Sequence, residues 1–273
     1  MVVSESVQYQ VEGRVGGITL NRPQSRNALT GGEMMFDLIA ALEAADADPG
    51  LGVLVITGSG TAFSAGGDVK EMAQRSGLFA GSPAEITEGY RTSIQRLTRL
   101  LLSTDLVTIA AVNGPAIGAG FDLALGCDLR LGSPTARFAH TFVQLGIIPG
   151  DGGAWLLPRV VGWQRAAELA FTSRPVEAEE ALALGILLEV VPAADLLPRA
   201  HALAALIASK PSTSVRLTKR LLRHARGMDL DGFLELSAAF QAIAHHTDDH
   251  PRAVTAYLQS LREPRSPGSG GGA

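Results

Sequence analysis

The chain has 273 residues, a formal net charge of −4 at pH 7, and 46% hydrophobic against 18% charged residues. This balance excludes a disordered chain and predicts one large globular domain, alone or with a helical appendage. The acidic charge argues against a nucleic-acid surface built on bulk charge. The single cysteine, Cys127, excludes an intrachain disulfide, and its apolar neighbours indicate a buried structural thiol.

The sequence also argues against a targeting segment, a membrane span and a metal site. The first ten residues have neither a basic start nor a long apolar core, so we expect no signal peptide. Without a run of about 18 apolar residues we expect no membrane span and a cytoplasmic location. His245, His246 and His250 lack a metal-ligand pattern, and a polar helix end is the favoured interpretation.

The first predicted elements are two strands, a helix and a third strand. Residues 7–11 alternate between polar and apolar, and 17–21 continue in the same way, which predicts an antiparallel pair. Residues 32–47 carry apolar side chains at helical spacing and predict an amphipathic helix. The elements expected after it are a short buried strand over 53–57, a helix starting near Asp68, a small flexible segment over 76–83, and a helix over 86–102.

The stretch 58–67, GSGTAFSAGG, runs from a strand through small residues into the helix near Asp68. It does not match a dinucleotide fingerprint, because Phe63 stands where the third glycine belongs. It also lacks the first glycine of a serine nucleophile elbow.

A second strand, turn and helix follow in the middle of the chain. Residues 107–112, VTIAAV, form a mainly apolar run rich in β-branched residues and without alternation, which predicts a strand buried on both faces. Gly118, Ala119 and Gly120 then precede a helical pattern over 121–125. A helix start leaves free backbone N–H groups, which can hold an oxygen that becomes negative during a reaction.

Two aspartates accompany these turns. Asp122 lies in the first helical turn, and Asp151 lies in the glycine-rich turn 149–153. Each has an ordinary alternative explanation, because an early helical aspartate complements the helix dipole and Asp-Gly is a common turn pair.

The remaining pattern indicates an α/β core followed by helices, because strands alternate with helices first and only helices come later. We predict the core over 1–195, a helical region over 196–263 and a flexible tail over 264–273. The elements expected after the second turn are helices over 163–171 and 178–184, a strand over 187–191, and helices over 196–209, 212–225, 230–246 and 252–261.

Several segments resemble the crotonase (enoyl-CoA hydratase/isomerase) superfamily, in the right order and over nearly the whole chain. The resemblance implies an α/β fold made of a spiral of ββα units, with C-terminal helices that help to build trimers, often paired into hexamers. It implies acyl-CoA thioester substrates, with coenzyme A as part of the substrate and no separate cofactor. The segments are LNRP at 20–23 with NAL at 27–29, AFSAGGDVKEM at 62–72, AVNG at 111–114 through Asp122, CDLR at 127–130, LGIIPG at 145–150 through Gly153, and LTKR at 217–220.

The resemblance also implies roles for particular residues. By position, the backbone N–H groups of Gly67 and Ala119 would hold the thioester oxygen. Residues 76–94 and the last helices would wall the acyl pocket. The residues expected along the CoA arm are Ala65, Asp68, Val69 and Lys70, with Arg22 and Arg26 as candidate partners of its phosphates.

The chain departs from the hydratase pattern at the acid–base positions. Of the two glutamates that hydratases carry, the first falls at Asp122 and the second at Phe142, which cannot transfer protons. Asp151 stands where dienoyl-CoA isomerases and a dehalogenase place a catalytic aspartate. The leading hypothesis is an enzyme that shifts a double bond, with Asp151 as the main acid and base and Asp122 as a second carboxylate. Alternatives are a hydratase with relocated carboxylates, a non-catalytic acyl-CoA binding protein, and a hydrolase or dehalogenase with Asp151 as nucleophile.

Overall fold

The computed structural model describes residues 4–261, and the strands within them form two sheets. The larger sheet has the order β1-β2-β3-β4-β6-β9, in which β1 and β2 are antiparallel, as predicted, and the other pairs are parallel. The smaller sheet has the order β5-β7-β8. The strands are β1 (Val7–Glu12), β2 (Val15–Leu20), β3 (Val53–Gly58), β4 (Val107–Val112), β5 (Pro115–Ile117), β6 (Leu129–Gly132), β7 (Arg137–Ala139), β8 (Val176–Glu177) and β9 (Glu189–Val190).

Helices cover these sheets and continue beyond them. Short 3-10 turns lie at Pro23–Ser25, Gly77–Phe79 and Val143–Leu145. The helices are α1 (Met34–Asp46), α2 (Val69–Gln74), α3 (Pro83–Thr92), α4 (Ile94–Ser103), α5 (Ala119–Gly126), α6 (Gly153–Val161), α7 (Trp163–Thr172), α8 (Ala178–Ala183), α9 (Leu196–Ala208), α10 (Ser212–His224), α11 (Leu230–His245) and α12 (Asp249–Ser260).

The chain repeats one unit, in which a strand of the larger sheet is followed by one of the smaller sheet and then by a helix. β4, β5 and α5 form one such unit, and β6, β7 and α6 form the next. β3 begins an earlier one, because Ser64 makes a parallel bridge with Ala116 of β5 before α2 starts. The predicted spiral of ββα units is therefore confirmed, whereas the trimerising role of the C-terminal helices remains a prediction.

Strand β4 is buried on both faces, as its mainly apolar run predicted. Ala110 and Val112 belong to the larger hydrophobic cluster, which also contains side chains of α1, α4 and α5. Ile109 and Ala111 point the other way, into a cluster with the buried face of α9. Alternate residues thus meet two apolar layers, and the polar side chain of Thr108 in this strand donates a hydrogen bond to Asp128 at 3.0 Å.

Two helices differ from the predictions. The single helix expected over 86–102 is two helices, because Ser93 leaves the helical region at φ −115° and ψ −98°. The apolar spacing continues across this break, so periodicity alone could not reveal it. Helix α6 was not predicted, because Gly152 and Gly153 indicated a turn and Pro158 lies within the helix.

The residue contacts divide the chain after Ala208 into two compact units. The predicted boundary at 195/196 lies one helix earlier. Helix α9 belongs with the larger sheet because Leu196, Ala200 and Ala204 share an apolar cluster with residues of β3 and β4. The second unit contains α10, α11 and α12, and the predicted tail over 264–273 lies outside the described residues. Among the helices of residues 4–261, none is long and apolar enough to cross a membrane.

Candidate active site

The two peptide N–H groups predicted to act together lie on adjoining loops of neighbouring ββα units. The loop after β3 pairs with β5, because the Ser64 N–H donates to the Pro115 carbonyl at 3.1 Å and the Ile117 N–H donates to the Ser64 carbonyl at 2.9 Å. This pairing sets Gly66 beside the start of α5, where a methyl group added to Gly66 would lie 2.9 Å from the nitrogen of Ala119.

The amides of Gly67 and Ala119 therefore come from adjacent loops held in register. Within residues 4–261, neither nitrogen donates a hydrogen bond to another residue. Gly118, which precedes Ala119, has φ +52° and ψ −120°, a conformation that favours glycine. The backbone thus presents two free donors, the arrangement expected of a site that holds a developing oxyanion.

The two predicted aspartates lie together, next to Ala119. Asp122 lies in the first turn of α5, Asp151 lies in the turn before α6, and each is 4% exposed. Both side chains line a cavity of about 10 Å³ that Ala119 also lines. This volume is close to the minimum for one water molecule. The other lining residues are Ile94, Leu97, Thr98, Leu101, Leu123 and Gly126.

Burial raises the pKa of both carboxyls. Burial raises the pKa of Asp122 to about 6, against smaller lowering effects from Asp151 and the Gly153 N–H. The pKa of Asp151 is raised well above its usual value, first by burial and then by the charge of Asp122. Because two ionised carboxylates in contact repel each other, the upward pKa shifts indicate that the pair retains one proton near neutral pH.

The sequence interpretation missed His140, which follows β7 and lies beside the carboxyl pair. Its side chain is 1% exposed, and Nε2 lies 3.3 Å from Oδ1 of Asp122, at an angle outside hydrogen-bonding geometry. Burial lowers the pKa of His140 against an opposing effect of the Asp151 charge, which favours the neutral imidazole. A possible sequence signal was its position two residues after the buried Phe138, on the same face of an extended segment.

Helix α4 anchors the turn that carries Asp151. The side-chain amide of Gln95 donates to the Gly150 carbonyl at 2.9 Å, and the hydroxyl of Thr98 donates to the Asp151 carbonyl at 2.6 Å. On the other side of the turn, a methyl group added to Gly153 would lie 2.1 Å and 2.3 Å from the carboxylate oxygens of Asp122. The close approach of the two acids therefore requires a residue without a side chain at 153.

Tyr90 adds a further titratable group at this turn. A methyl group added to Gly150 would lie 2.9 Å from the Tyr90 ring. Burial raises the Tyr90 pKa, and the charge of Asp151 raises it further. Tyr90 falls within the segment 76–94 that was expected to wall the acyl pocket.

Phe142 is buried near the oxyanion turn. Its ring lies 3.8 Å from where a methyl group on Gly118 would stand, and it packs edge-on against the His140 ring at 4.8 Å. The position of the second hydratase glutamate therefore carries an apolar side chain that helps to exclude water.

The residues predicted along the CoA arm lie on the loop after β2 and on the segment that leads into the first turn of α2. The guanidinium of Arg22 donates to the Gly31 carbonyl at 3.0 Å, and the Ala65 N–H donates to the Arg26 carbonyl at 2.8 Å. Asp68 caps α2 by accepting from the Lys70 N–H at 2.8 Å, so its carboxylate is engaged within the protein.

Positively charged side chains are exposed on both of these segments. The Arg26 and Lys70 side chains are exposed, and Val69 is 53% exposed beside them. Among residues 4–261, no group of three or more His, Cys, Asp or Glu side chains could hold a metal ion.

Comparison with known proteins shows the same architecture. A family model described as "Enoyl-CoA hydratase/isomerase" matches residues 10–265. A "Probable enoyl-CoA hydratase" of Mycobacterium tuberculosis is 35% identical over 256 residues, which cover 93% of this chain and 95% of that protein. A "1,2-epoxyphenylacetyl-CoA isomerase" of Escherichia coli is 34% identical over 265 residues, which cover 97% and 99%. A solved enoyl-CoA hydratase/isomerase structure from Cupriavidus metallidurans has a TM-score of 0.87 at 34% identity and covers 98% of each chain.

The ββα spiral and these similarities define a crotonase-fold enzyme. The chain belongs to the enoyl-CoA hydratase/isomerase family, whose members act on acyl-CoA thioesters.

Proposed function

We propose that the protein is an isomerase that shifts a double bond within an enoyl-CoA through an enolate intermediate. The observation that carries this proposal is the pairing of Asp122 and Asp151 in one small cavity with Ala119. A double-bond shift needs one proton removed and one returned at another carbon, which a pair holding a single proton can supply. The E. coli relative named an isomerase supports the same class of reaction.

The geometry supports distinct roles for the two acids. In this proposal Asp122, one turn after Ala119 on α5, is the base, and its carboxylate takes a proton from C2 of a 3-enoyl-CoA. The electron pair moves onto the thioester oxygen, where the N–H groups of Gly67 and Ala119 stabilise it. Asp151 then gives its proton to C4, so the double bond lies between C2 and C3. The sequence hypothesis gave both proton transfers mainly to Asp151.

The reaction balances without a redox or metal cofactor, because one proton leaves the substrate and one enters it. After turnover the proton lies on Asp122, and its transfer to the neighbouring Asp151 restores the starting state. Removing one oxyanion donor typically costs about 10²–10³ in rate, so much of the acceleration would come from the two amides.

Replacing Asp151 with Asn tests this function. We expect the variant to lose turnover of a 3-enoyl-CoA or dienoyl-CoA by about 10²-fold or more, because the proton donor to C4 is removed. The matched control is Asp128→Asn, which changes an aspartate at the other end of α5, where its carboxylate accepts from the Thr108 N–H at 2.8 Å. Unchanged turnover in a folded Asp151→Asn protein would exclude the assignment.

The second candidate is a hydratase in which Asp122 and Asp151 jointly activate water. The hydratase name of the M. tuberculosis relative favours it, and the cavity of about 10 Å³ has room for one water molecule. Incubation with crotonyl-CoA separates the two candidates. Formation of 3-hydroxyacyl-CoA supports the hydratase, and conversion of a 3-enoyl-CoA without hydration supports the isomerase.

We also propose that Arg22 and Arg26 contact the CoA phosphates and that the enzyme assembles as a trimer or hexamer. Their loop adjoins Ala65 through the Ala65–Arg26 hydrogen bond, and guanidinium groups bind phosphates well. Replacing Arg26 with Gln should raise KM for acyl-CoA and leave kcat nearly unchanged. Light scattering measures the assembly.

A further inference from the structure

We propose that His140 is a positioning residue that donates its Nε2–H to Asp122 and thereby keeps the shared proton on Asp151. The proposal goes beyond the acid–base pair itself, because it names the group that makes the two aspartates unequal. It rests on the proposed function only for its activity readout.

The imidazole is fixed from both sides. Phe142 packs edge-on against it with ring centres 4.8 Å apart, and Phe121 does so at 6.3 Å. Nε2 lies 3.3 Å from Oδ1 of Asp122, within reach of a hydrogen bond after a small rotation. His140 is thus held by packing with one nitrogen directed at one of the two acids.

Asp122 has few other ways to remain ionised. Both of its oxygens are buried and lack a hydrogen-bond partner of good geometry within residues 4–261. The Asp151 side chain and, to a smaller extent, the Gly153 N–H lower its pKa against the effect of burial. An uncompensated buried carboxylate is costly, and a neutral imidazole with a proton on Nε2 supplies a donor without adding charge.

The groups that face His140 come from several elements. Asp122 approaches from α5 and Asp151 from the turn before α6, and Tyr90 of α3 lies near Asp151 on the far side. Burial favours the uncharged imidazole, so its proton on Nε2 acts as a hydrogen-bond donor and is not transferred. Because Nε2 lies against Asp122, a hydrogen bond from it favours the carboxylate there, against a smaller effect of an imidazole charge that lowers the pKa of Asp151.

The test compares donor and non-donor variants that both lack a titrating imidazole. His140→Gln keeps an N–H donor, and His140→Leu does not. Without the donor, we expect the pKa of Asp122 to rise further. The folded state then loses stability at pH values at which Asp122 is ionised, and its stability is unchanged at pH values at which Asp122 is protonated. The Tm of the Leu variant should therefore fall relative to the Gln variant by about 3 °C between pH 5 and pH 8.

The same pair is then compared in an Asp122→Asn background, where the difference in Tm should no longer depend on pH. A difference that is equal at every pH in both backgrounds would overturn the proposal, because it would mean that His140 only fills space. If His140→Leu does not fold, His140→Met provides a flexible apolar replacement for the same comparison.

Turnover gives a second readout. In the Leu variant the acidic limb of the kcat–pH profile should move up by about one unit, which is roughly a tenfold loss at pH 5.5 with little loss at pH 8. The Gln variant should keep the original profile, and a profile unshifted in both variants would contradict the role. The Tm comparison needs no substrate. If only the isomerase assay fails, the result counts against the proposed function, and the Tm comparison still decides the role of His140.

Discussion

Two carboxylate clusters in the first unit have opposite chemistry. In the buried site, Asp122 and Asp151 share one small cavity, and burial raises the pKa of each. In the partly exposed cluster, Arg174 bonds to Glu168 and Glu180, and the hydrogen bonds from Arg174 lower the pKa of both glutamates.

The contrast shows that neighbours and solvent decide what a carboxyl group does. The glutamates remain ionised and hold α7 to α8 through one guanidinium. Among residues 4–261 no arginine or lysine pairs with the two aspartates, which face apolar walls, so the pair retains a proton that can be transferred. The predictions below test this difference by altering one cluster or the other.

The largest expected effect comes from Gly153→Ala. Its methyl group would meet the carboxylate oxygens of Asp122 at 2.1 Å and 2.3 Å, so the acid pair must move apart. Misplacement by about 1 Å can cost 10²-fold in rate, and we expect a loss of about that size in kcat. Gly17→Ala is the control, because nothing lies within 4 Å of its added methyl group. Equal turnover of the two variants would contradict the need for close approach.

Asp122→Asn should stabilise the protein in a pH-dependent way. Folding raises the pKa of Asp122 from 3.8 to about 6, so the stability that this group contributes is lost as pH rises through that range. A shift of about two units corresponds to roughly 3 kcal/mol. Urea unfolding should show the Asn variant more stable by up to that amount at pH 8 and by little at pH 4. A stability difference that does not vary with pH would show that Asp122 is not destabilised by its charge.

Thr98→Val should have a smaller effect on stability. The substitution removes the hydroxyl that donates to the Asp151 carbonyl, and the loss of a buried hydrogen bond costs about 1 kcal/mol. Thr87→Val is the matched control, because its hydroxyl donates to the Pro83 carbonyl on the exposed side of α3. Thermal unfolding measures both, and equal losses would mean that α4 does not anchor the turn.

Arg174→Gln should have the smallest effect. The bonds of Arg174 to Glu168 and Glu180 are partly exposed, and such pairs contribute about 1 kcal/mol or less. Because folding lowers the pKa of both glutamates, their contribution is present at pH 7 and is lost as pH falls below about 4. Urea unfolding at pH 7 and pH 3.5 checks this, and a larger cost at the lower pH would reverse the sign we expect.

Much of the fold could be predicted from local patterns. The apolar run of β4 and the helical spacing of α1 each follow from periodicity, and their bounds agree with the prediction within two residues. The break at Ser93 could not be predicted, because it does not interrupt the apolar spacing. Helix α6 could not be predicted, because it begins at a pair of glycines. The short strands β5 and β7 depend on pairing between distant segments, which periodicity does not show.

The candidate site could be predicted in part. Asp122 and Asp151 were identified by their turns, and the structure places them in one cavity. His140 lies in a segment without a glycine-rich turn, and only the parallel pairing of β5 with β7 brings it beside Asp122. Long-range register of this kind is set by the tertiary fold and leaves little trace in the local sequence.

The pairing of β5 with the loop at Ser64 has a wider consequence for how this enzyme can diversify. The positions of the two amides proposed to hold the oxyanion, Gly67 and Ala119, are set by main-chain hydrogen bonds, which most side-chain replacements leave unchanged. The acids and the apolar walls are side chains, and each can be exchanged singly. New substrate preferences and new acid–base residues can therefore arise by substitution while the two amides keep their positions.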